Sequence, residues 1–345
     1  MHFRIGERQI GDDAPVFIIA EMSANHQQNF DLAVKIIKEA KKAGADALKM
    51  QTYTPDSMTI DCENEYFQLK QGTIWDGQTL YRLYQKAFTP WEWQPRLKKV
   101  AEEEGLICFS TPFDTKAVDF LEEMGTPIYK IASFEITDIP LIEYIATKKK
   151  PVLISTGVAT ISDIDLALKT LRNKGAEDIV LLKCTSEYPA PLEKANLRTI
   201  PNMAETFRVI PGLSDHTLGY SVPLTAAALG AKVIEKHFTL DKKMKGPDHK
   251  ASLEPKELAA MVAAIRNIEK ALGNGIKRPS PSEIKNRAIA RKSIVASRDI
   301  KKGEIFSKEN ITAKRPGTGL DPMMWYKVIG RKAKRDFKAD DQIKA

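Results

Sequence analysis

Along most of the chain, short apolar runs alternate with stretches of helical periodicity. The runs are Val16–Ala20, Ala47–Gln51, Leu106–Ser110, Ile128–Ala132, Pro151–Ser155, Ile179–Cys184, a short and weaker Val209–Leu213, and Lys232–Phe238. A strand wetted on one face alternates apolar and polar residues, whereas runs apolar throughout belong to a parallel sheet covered on both faces. Between the runs, Phe30 to Ala43 carries Leu32, Ile36, Ile37 and Ala40 on one side and stops at Gly44. After Pro255, the residues Leu258, Met261, Val262, Ile265 and Leu272 recur at helical spacing up to Gly273. Eight strand–helix units in roughly 260 residues predict a (β/α)8 TIM barrel. A doubly wound open sheet is the alternative, but no GxGxxG follows the first strand.

The pattern changes after Leu272. Residues 273–286, GNGIKRPSPSEIKN, combine glycines, prolines and serines and read as a linker. Residues 287–345 carry short β-like runs at Ser293–Ala296 and Ile305–Phe306 and predict a small β-rich module. The expected organisation is therefore a barrel over 1–272, a linker over 273–286 and a module over 287–345. So small a module is marginal alone and is expected to lean on the barrel or on a second subunit.

Composition narrows the function. A chain of 345 residues, 43% hydrophobic, is long enough for one large core. No run approaches the roughly 20 apolar residues of a membrane helix, and the polar start, Met1 to Ile10, shows no secretory signal. Cys62, Cys108 and Cys184 are odd in number and widely spaced, which disfavours disulfides and thiolate zinc sites and fits a reducing cytoplasm. The net charge of +8 is uneven: from Lys285 onward, 17 Lys and Arg face 7 Asp and Glu. A basic tail can bind nucleic acid, but there is no aromatic interleaving and no nucleic-acid motif. A basic cover over an anionic substrate suits the same charge.

Barrel enzymes carry their chemistry at the C-terminal ends of the strands, and polar side chains in such strands are costly unless used or paired. The strand ends here hold Glu21 with Asn25 and His26, Lys49 with Gln51, Ser110 to Asp114, Lys130 with Ser133 and Glu135, Ser155 to Gly157, Lys183 with Ser186 and Tyr188, Ser214 to His216, and Glu235 to His237. Lys49 and Gln51, two apart, share one face of their strand, as do Glu235 and His237. Lys49, Lys130 and Lys183 admit two uses: a Schiff base, or a cradle for phosphate and carboxylate. The hydroxyls of Ser133, Ser155, Ser186 and Ser214 favour the cradle. His216 and His237 are two of only five histidines. At the ends of adjacent strands they suit one divalent metal, with water or substrate oxygens completing the shell. With no cysteine expected nearby, Mn²⁺, Mg²⁺ or Co²⁺ fits better than structural zinc. The competing reading is a pair of satisfied polar histidines, and His26 and His249 fit that reading better. Glu21 and Glu135 serve equally as general acid or base, as holders of a sugar hydroxyl, or as structural partners of Lys49 and Lys130. Trp75, Trp91 and Trp93 read as packing, with sugar stacking open for Trp75.

The motifs IAEMSANH, KMQTYTP, STPFD, KIASFEITDIPL, ISTGVAT, LKCTSEYPAP, GLSDHTLG, VIEKHFTLDKKMKGPDHKASLEP and KRPGTGL, in this order, resemble the sialic acid synthase family over essentially the whole chain. The resemblance implies a barrel that condenses phosphoenolpyruvate (PEP) with an acetamido sugar, followed by an antifreeze-like (SAF) domain. It implies His216 and His237 as metal ligands, Mn²⁺ first among the candidates. Lys49, Lys130, Ser133, Ser155, Ser186 and Ser214 would hold PEP. Glu21, Gln51, Glu135, Tyr188 and Asp248 would face the sugar or move protons. Arg315 would reach the sugar's N-acetyl group from the partner subunit of a domain-swapped homodimer. The N-terminal half, with SANH, MQTYTPDSMT, the IWDGQTLY insertion and KIASFE, resembles pseudaminic acid synthases. The C-terminal half, with GPDHKASLEP, resembles legionaminic and N-acetylneuraminic acid synthases. The insertion favours 2,4-diacetamido-2,4,6-trideoxy-L-altrose, with a D-manno N-acetylated sugar as the alternative. Other PEP-condensing barrels would lack the SAF module. A binder without turnover is the rival from another class.

Overall fold

The computed structural model describes residues 1–70 and 76–344. Trp75 lies outside the described residues. Residues Met1–Gly273 and Asn274–Ala345 form two compact units.

The first unit is the expected barrel. It opens with an antiparallel hairpin of β1 (His2–Ile5) and β2 (Arg8–Gly11). Eight parallel strands then close on themselves: β3 (Phe17–Glu21), β4 (Ala47–Thr52), β5 (Ile107–Pro112), β6 (Tyr129–Ile131), β7 (Val152–Ser155), β8 (Ile179–Cys184), β9 (Ile210–Asp215) and β10 (Val233–His237). The ring is sealed by β10 pairing with both β9 and β3. The expected runs coincide with these strands to within a few residues.

Alternation along each strand sorts two cores. Ile18, Ala20, Leu48, Met50 and Ile234 face outward and pack on helices, including Phe30–Lys42 and Pro255–Leu272. Phe17, Ile19, Ala47, Phe109, Leu153, Val180, Leu182 and Val233 face inward and fill the lower barrel. The hairpin residues Phe3, Ile5 and Ile10 join this inner cluster and plug the N-terminal end. Each of the larger side chains among them contributes roughly 1.5–3 kcal/mol by burial. Two residues further along, the inward positions turn polar: Glu21 follows Ile19, Lys49 follows Ala47, Thr111 follows Phe109 and Ser155 follows Leu153. The floor of the site is thus a packed hydrocarbon layer.

Helix ends follow their chemistry. Asn29 caps Phe30–Lys42 by accepting from the Leu32 amide. The expected apolar stripe after Pro255 is buried at Leu258, Met261, Val262 and Ile265, but Leu272 is exposed.

In the second unit, Ser293–Ala296 (β11) pairs antiparallel with Ile311–Lys314 (β12). The expected strand at Ile305–Phe306 is only an isolated bridge from Ile305 to Lys332. A core of Ile294, Ala296, Ile300, Phe306, Ile311, Val328 and Phe337 holds the module together. The segment expected as a linker, 273–286, is only partly irregular, because Pro281–Ala290 forms a helix. Ser280 and Glu283 close a capping box with Pro281 in the first turn, so the S-P-S-E string starts a helix rather than a flexible stretch.

Candidate active site

At the C-terminal mouth of the barrel, charge is organised around Lys49. Its Nζ lies 2.7 Å from Glu21 Oε2 and 3.8 Å from Glu235 Oε1, and it donates to Thr111 Oγ1 at 3.2 Å. All three charged groups are buried. Burial alone would lower the Lys49 pKa, but the two carboxylates outweigh it and hold the ammonium charged. Burial and the neighbouring Glu235 raise the Glu21 pKa against the pull of Lys49. Glu235 goes the other way, drawn down by Lys130 and Lys49.

Lys130 donates to Ser155 Oγ at 2.7 Å and to Ile131 O at 3.0 Å, and burial lowers its pKa. Ser214 donates to Glu235 at 3.0 Å. Ser133 Oγ accepts from the Gly157 amide at 3.1 Å. Lys49, Lys130, Ser133, Ser155, Ser214, Tyr188, His216, Glu235 and His237 line one cavity. Ser186 joins them beside Gly157, where a Cβ would come within 2.0 Å of its Oγ and 2.7 Å of Ser133 Oγ. Two cations with a fan of hydroxyls form a cradle for a small anion.

His216 and His237 stand with ring centroids 5.2 Å apart, and Tyr188 covers His216 at 4.0 Å. His216 Nδ1 lies 2.9 Å from Thr185 O, so that nitrogen carries the proton and donates. Its Nε2 keeps the lone pair, the arrangement found in metal-bound imidazoles. His237 Nδ1 is buried without a hydrogen-bond partner, 4.0 Å from Asp248 Oδ2. Two such nitrogens fit a divalent cation that keeps water or substrate oxygens in its remaining positions. Among the described residues, no group of three or more His, Cys, Asp or Glu side chains could hold a metal. One expectation is corrected: a cysteine is nearby. Cys184 Sγ lies 3.8 Å from His216 Nδ1, because Cys184 and Ser214 face inward on adjacent strands. The sulfur meets the nitrogen already committed to Thr185, so it adds no ligand to the open side.

On the other flank, Gln51 donates to Glu21 Oε1 and to Ser23 Oγ, both at 3.2 Å, and the Ser23 hydroxyl donates to Asp248. Glu135 lies in the loop after β6, with Oε2 buried and without a hydrogen-bond partner.

The sequence profile of the NeuB family matches residues 36–277, and that of the SAF domain matches residues 291–345. The chain belongs to the NeuB family. It is 48% identical to a pseudaminic acid synthase of Campylobacter jejuni over 339 residues, 97% of this chain and 98% of the relative. It is 44% identical to an N,N'-diacetyllegionaminic acid synthase of the same species, with 95% and 98% covered. Among solved structures, it resembles a sialic acid synthetase from Leptospira borgpetersenii crystallised with citrate. The TM-score is 0.75 and the identity 35%, over 83% of this chain and 95% of that one.

Within this NeuB barrel, the sequence-derived candidates divide clearly. Glu21, Gln51, Lys49, Lys130, Ser133, Ser155, Ser186, Ser214, Tyr188, His216, His237 and Asp248 converge at the mouth. Lys183 does not: its Nζ donates to Cys184 O at 2.7 Å and Thr185 Oγ1 at 3.1 Å, on the side away from the cavity. Lys236 and Asp215 form a buried ion pair at 2.6 Å and are structural. His26 bonds Thr89 at 2.9 Å, and burial lowers its pKa to about 4, so it is a neutral packing residue. His249 likewise bonds Thr239 at 2.7 Å. Trp91 stacks on Phe120 and Trp93 packs edge-on against Phe30, so both are packing residues. Arg315 belongs to the second unit, where it is exposed and its Nε donates to Ala290 O at 2.7 Å. The sequence reading missed Ser23, and it missed Phe134, a 62% exposed aromatic on the rim of the cavity.

Burial raises the Glu135 pKa to about 7. A carboxyl whose folded pKa exceeds its unfolded one is most stabilising when protonated. Its contribution is full below the unfolded value, near 4.5, and is lost as pH rises to about 7. Glu135→Gln should therefore gain stability relative to the native chain across that window and hold a constant difference above it. Urea unfolding of both proteins from pH 4 to 8.5 checks this. A difference flat across the whole range would refute the raised pKa.

Proposed function

We propose that this chain condenses PEP, an acetamido hexose in its open aldehyde form and water into a nine-carbon nonulosonic acid and phosphate. The preferred sugar is 2,4-diacetamido-2,4,6-trideoxy-L-altrose, which makes the product pseudaminic acid. The observation that carries the reading is the cradle of Lys49, Lys130 and the serine hydroxyls set beside two open imidazoles in one cavity. The 48% identity to a pseudaminic acid synthase supports the choice of sugar. Phe134 supports a sugar with methyl groups to bury, since an aromatic on the rim of a charged cavity needs an apolar partner.

Lys49, Lys130, Ser133, Ser155, Ser186 and Ser214 bind the phosphate and carboxylate of PEP. Lys49 is held charged by its carboxylates and so acts as a cation, not as a Schiff-base nucleophile. C3 of PEP bonds to the aldehyde carbon, and the aldehyde oxygen takes a proton. Water adds to C2 and gives up one proton. The resulting C2 hydroxyl then becomes the C2=O carbonyl, its proton passing to the phosphate as the C2–O bond to phosphate breaks. The cationic cradle stabilises the departing phosphate. His216 and His237 hold a divalent cation, Mn²⁺ in preference to Mg²⁺ or Co²⁺. When bound, it supplies Lewis acidity for the aldehyde oxygen. Glu21 has both oxygens engaged by Lys49, Gln51 and the Ser23 amide. Glu135, with an unpartnered oxygen and a pKa near 7, is the better proton carrier. Gln51, Tyr188 and Asp248 orient the sugar. Arg315 of a second copy completes the site in a homodimer, and the free thiols Cys62, Cys108 and Cys184 suit a cytoplasmic enzyme.

The test is phosphate release from PEP with a panel of sugars: the L-altro diacetamido sugar, its D-manno counterpart and N-acetylmannosamine. The first should win by at least tenfold in kcat/KM. Preference for either of the others would overturn the sugar, and no release with any would overturn the enzyme. Removing metal by chelation should abolish turnover, and His216→Ala and His237→Ala should each purify with little bound metal. Full activity after chelation would end the metal reading. Mixing Arg315→Ala with His216→Ala subunits should restore activity, because a mixed dimer then holds one intact site. Activity near zero would place Arg315 in its own subunit's site, and full activity of Arg315→Ala alone would place it outside the chemistry.

A further inference from the structure

We propose that Ser23 is a positioning residue that fixes Asp248 and Gln51 for the sugar, an inference that rests on the nonulosonic acid reading above. The backbone at Ser23 has φ of 46°, in the left-handed region that favours glycine. Of the described non-glycine residues with positive φ, Ser23 alone is buried; the others are exposed. A left-handed conformation is unfavourable for a residue with a Cβ, and glycine would take it without that cost. Such strain persists where the surroundings hold it, and it clusters at functional sites.

What the strain holds in place is the hydroxyl. It donates to Asp248, 225 residues away, and accepts from Gln51 Nε2 at 3.2 Å. The Ser23 amide donates to Glu21 Oε1 at 3.1 Å. Three segments meet at this one side chain: the end of β3, the end of β4 and the loop after β10. A hydroxyl has one proton to give and lone pairs to accept with, so it satisfies a carboxylate and an amide NH₂ together. Glycine would relax the backbone and lose both bonds. Alanine would lose both bonds and keep the strain.

Steady-state kinetics on the full-length enzyme, with the preferred sugar of the panel and PEP varied in turn, test the idea. Ser23→Gly and Ser23→Ala should each raise KM for the sugar at least tenfold and leave KM for PEP within twofold. Ser23→Gly should melt at or above the temperature of Ser23→Ala. Adding Ser23→Gly to Asp248→Asn should cost clearly less than Ser23→Gly costs in the native chain, because part of the hydroxyl's effect runs through Asp248 and part through Gln51. If Ser23→Ala does not fold, Ser23→Gly alone carries the test. A native sugar KM in Ser23→Gly overturns the proposal, as does an equal rise in both KM values or a fully additive double variant. If the native enzyme releases no phosphate with any sugar, the functional reading has failed. Native turnover with unaffected Ser23 variants means that this inference alone has failed.

Discussion

Lys49→Met is expected to lower turnover by on the order of 10³-fold and to destabilise the barrel in a pH-dependent way. Lys49 is the only cation within 4 Å of Glu21 and Glu235 among the described residues, at 2.7 and 3.8 Å. Methionine matches its length and apolar stem but leaves buried Glu21 without a cation within 4 Å, and leaves Glu235 with only the more distant Lys130 and the Ser214 hydroxyl. Breaking a buried ion pair from one side costs about 3–5 kcal/mol, because the remaining charge stays buried and unpaired. The carboxyls escape that cost by taking up protons, which raises their pKa values. At about pH 5 much of the penalty disappears, and at about pH 8 it is present in full. The stability gap between variant and native chain should thus widen as pH rises, the sign for carboxyls with raised folded pKa values. Urea midpoints at the two pH values and PEP-dependent phosphate release measure the two effects. A gap equal at both pH values would show that Lys49 acts mainly through packing. Turnover within tenfold of native would remove it from the anion cradle.

Much of this barrel is legible in the sequence because the strands are uniformly apolar and the helices between them are amphipathic. The same uniformity hides the phase of each strand. In Ile179–Cys184, apolar residues face both the helices and the barrel axis, so nothing local says whether Lys183 or Cys184 points inward. Register with β9 decides: Cys184 turns toward His216 and Lys183 turns away. Lys236 and Asp215 illustrate the same ambiguity, since both stand at strand ends and both face the helices as a buried pair. Where a strand carries polar residues two apart, as Lys49 and Gln51 do, the phase can be read and both reach the site. Ser23 was illegible for another reason. Its role depends on a backbone angle and on a partner 225 residues away, and neither leaves a local trace. The helix Pro281–Ala290 is legible in principle, through Ser280, Pro281 and Glu283, but proline and serine suit a loop as well as a helix start.

Gly157 offers the most direct access to the anion cradle. It follows β7 and Thr156, and its φ is not in the left-handed region, so alanine fits its backbone without strain. Space is the obstacle. A Cβ there would lie 2.0 Å from Ser186 Oγ and 2.7 Å from Ser133 Oγ. Both oxygens can rotate aside, while Ser133 Cβ at 3.1 Å must give by a few tenths of an ångström, so Gly157→Ala should fold with a modest loss of stability. The rotation, however, takes both hydroxyls off the point where they converge. If they grip PEP, KM for PEP should rise about 30- to 100-fold, equivalent to about 2–2.7 kcal/mol of binding. KM for the sugar should stay within threefold. A double variant separates displacement from general damage. Ser186→Ala alone should weaken PEP binding, but in the Gly157→Ala background it should add little, because that hydroxyl has already been displaced. Additive losses would mean that Gly157 and Ser186 act at separate points. An unchanged KM for PEP in Gly157→Ala would move the phosphate elsewhere in the barrel mouth.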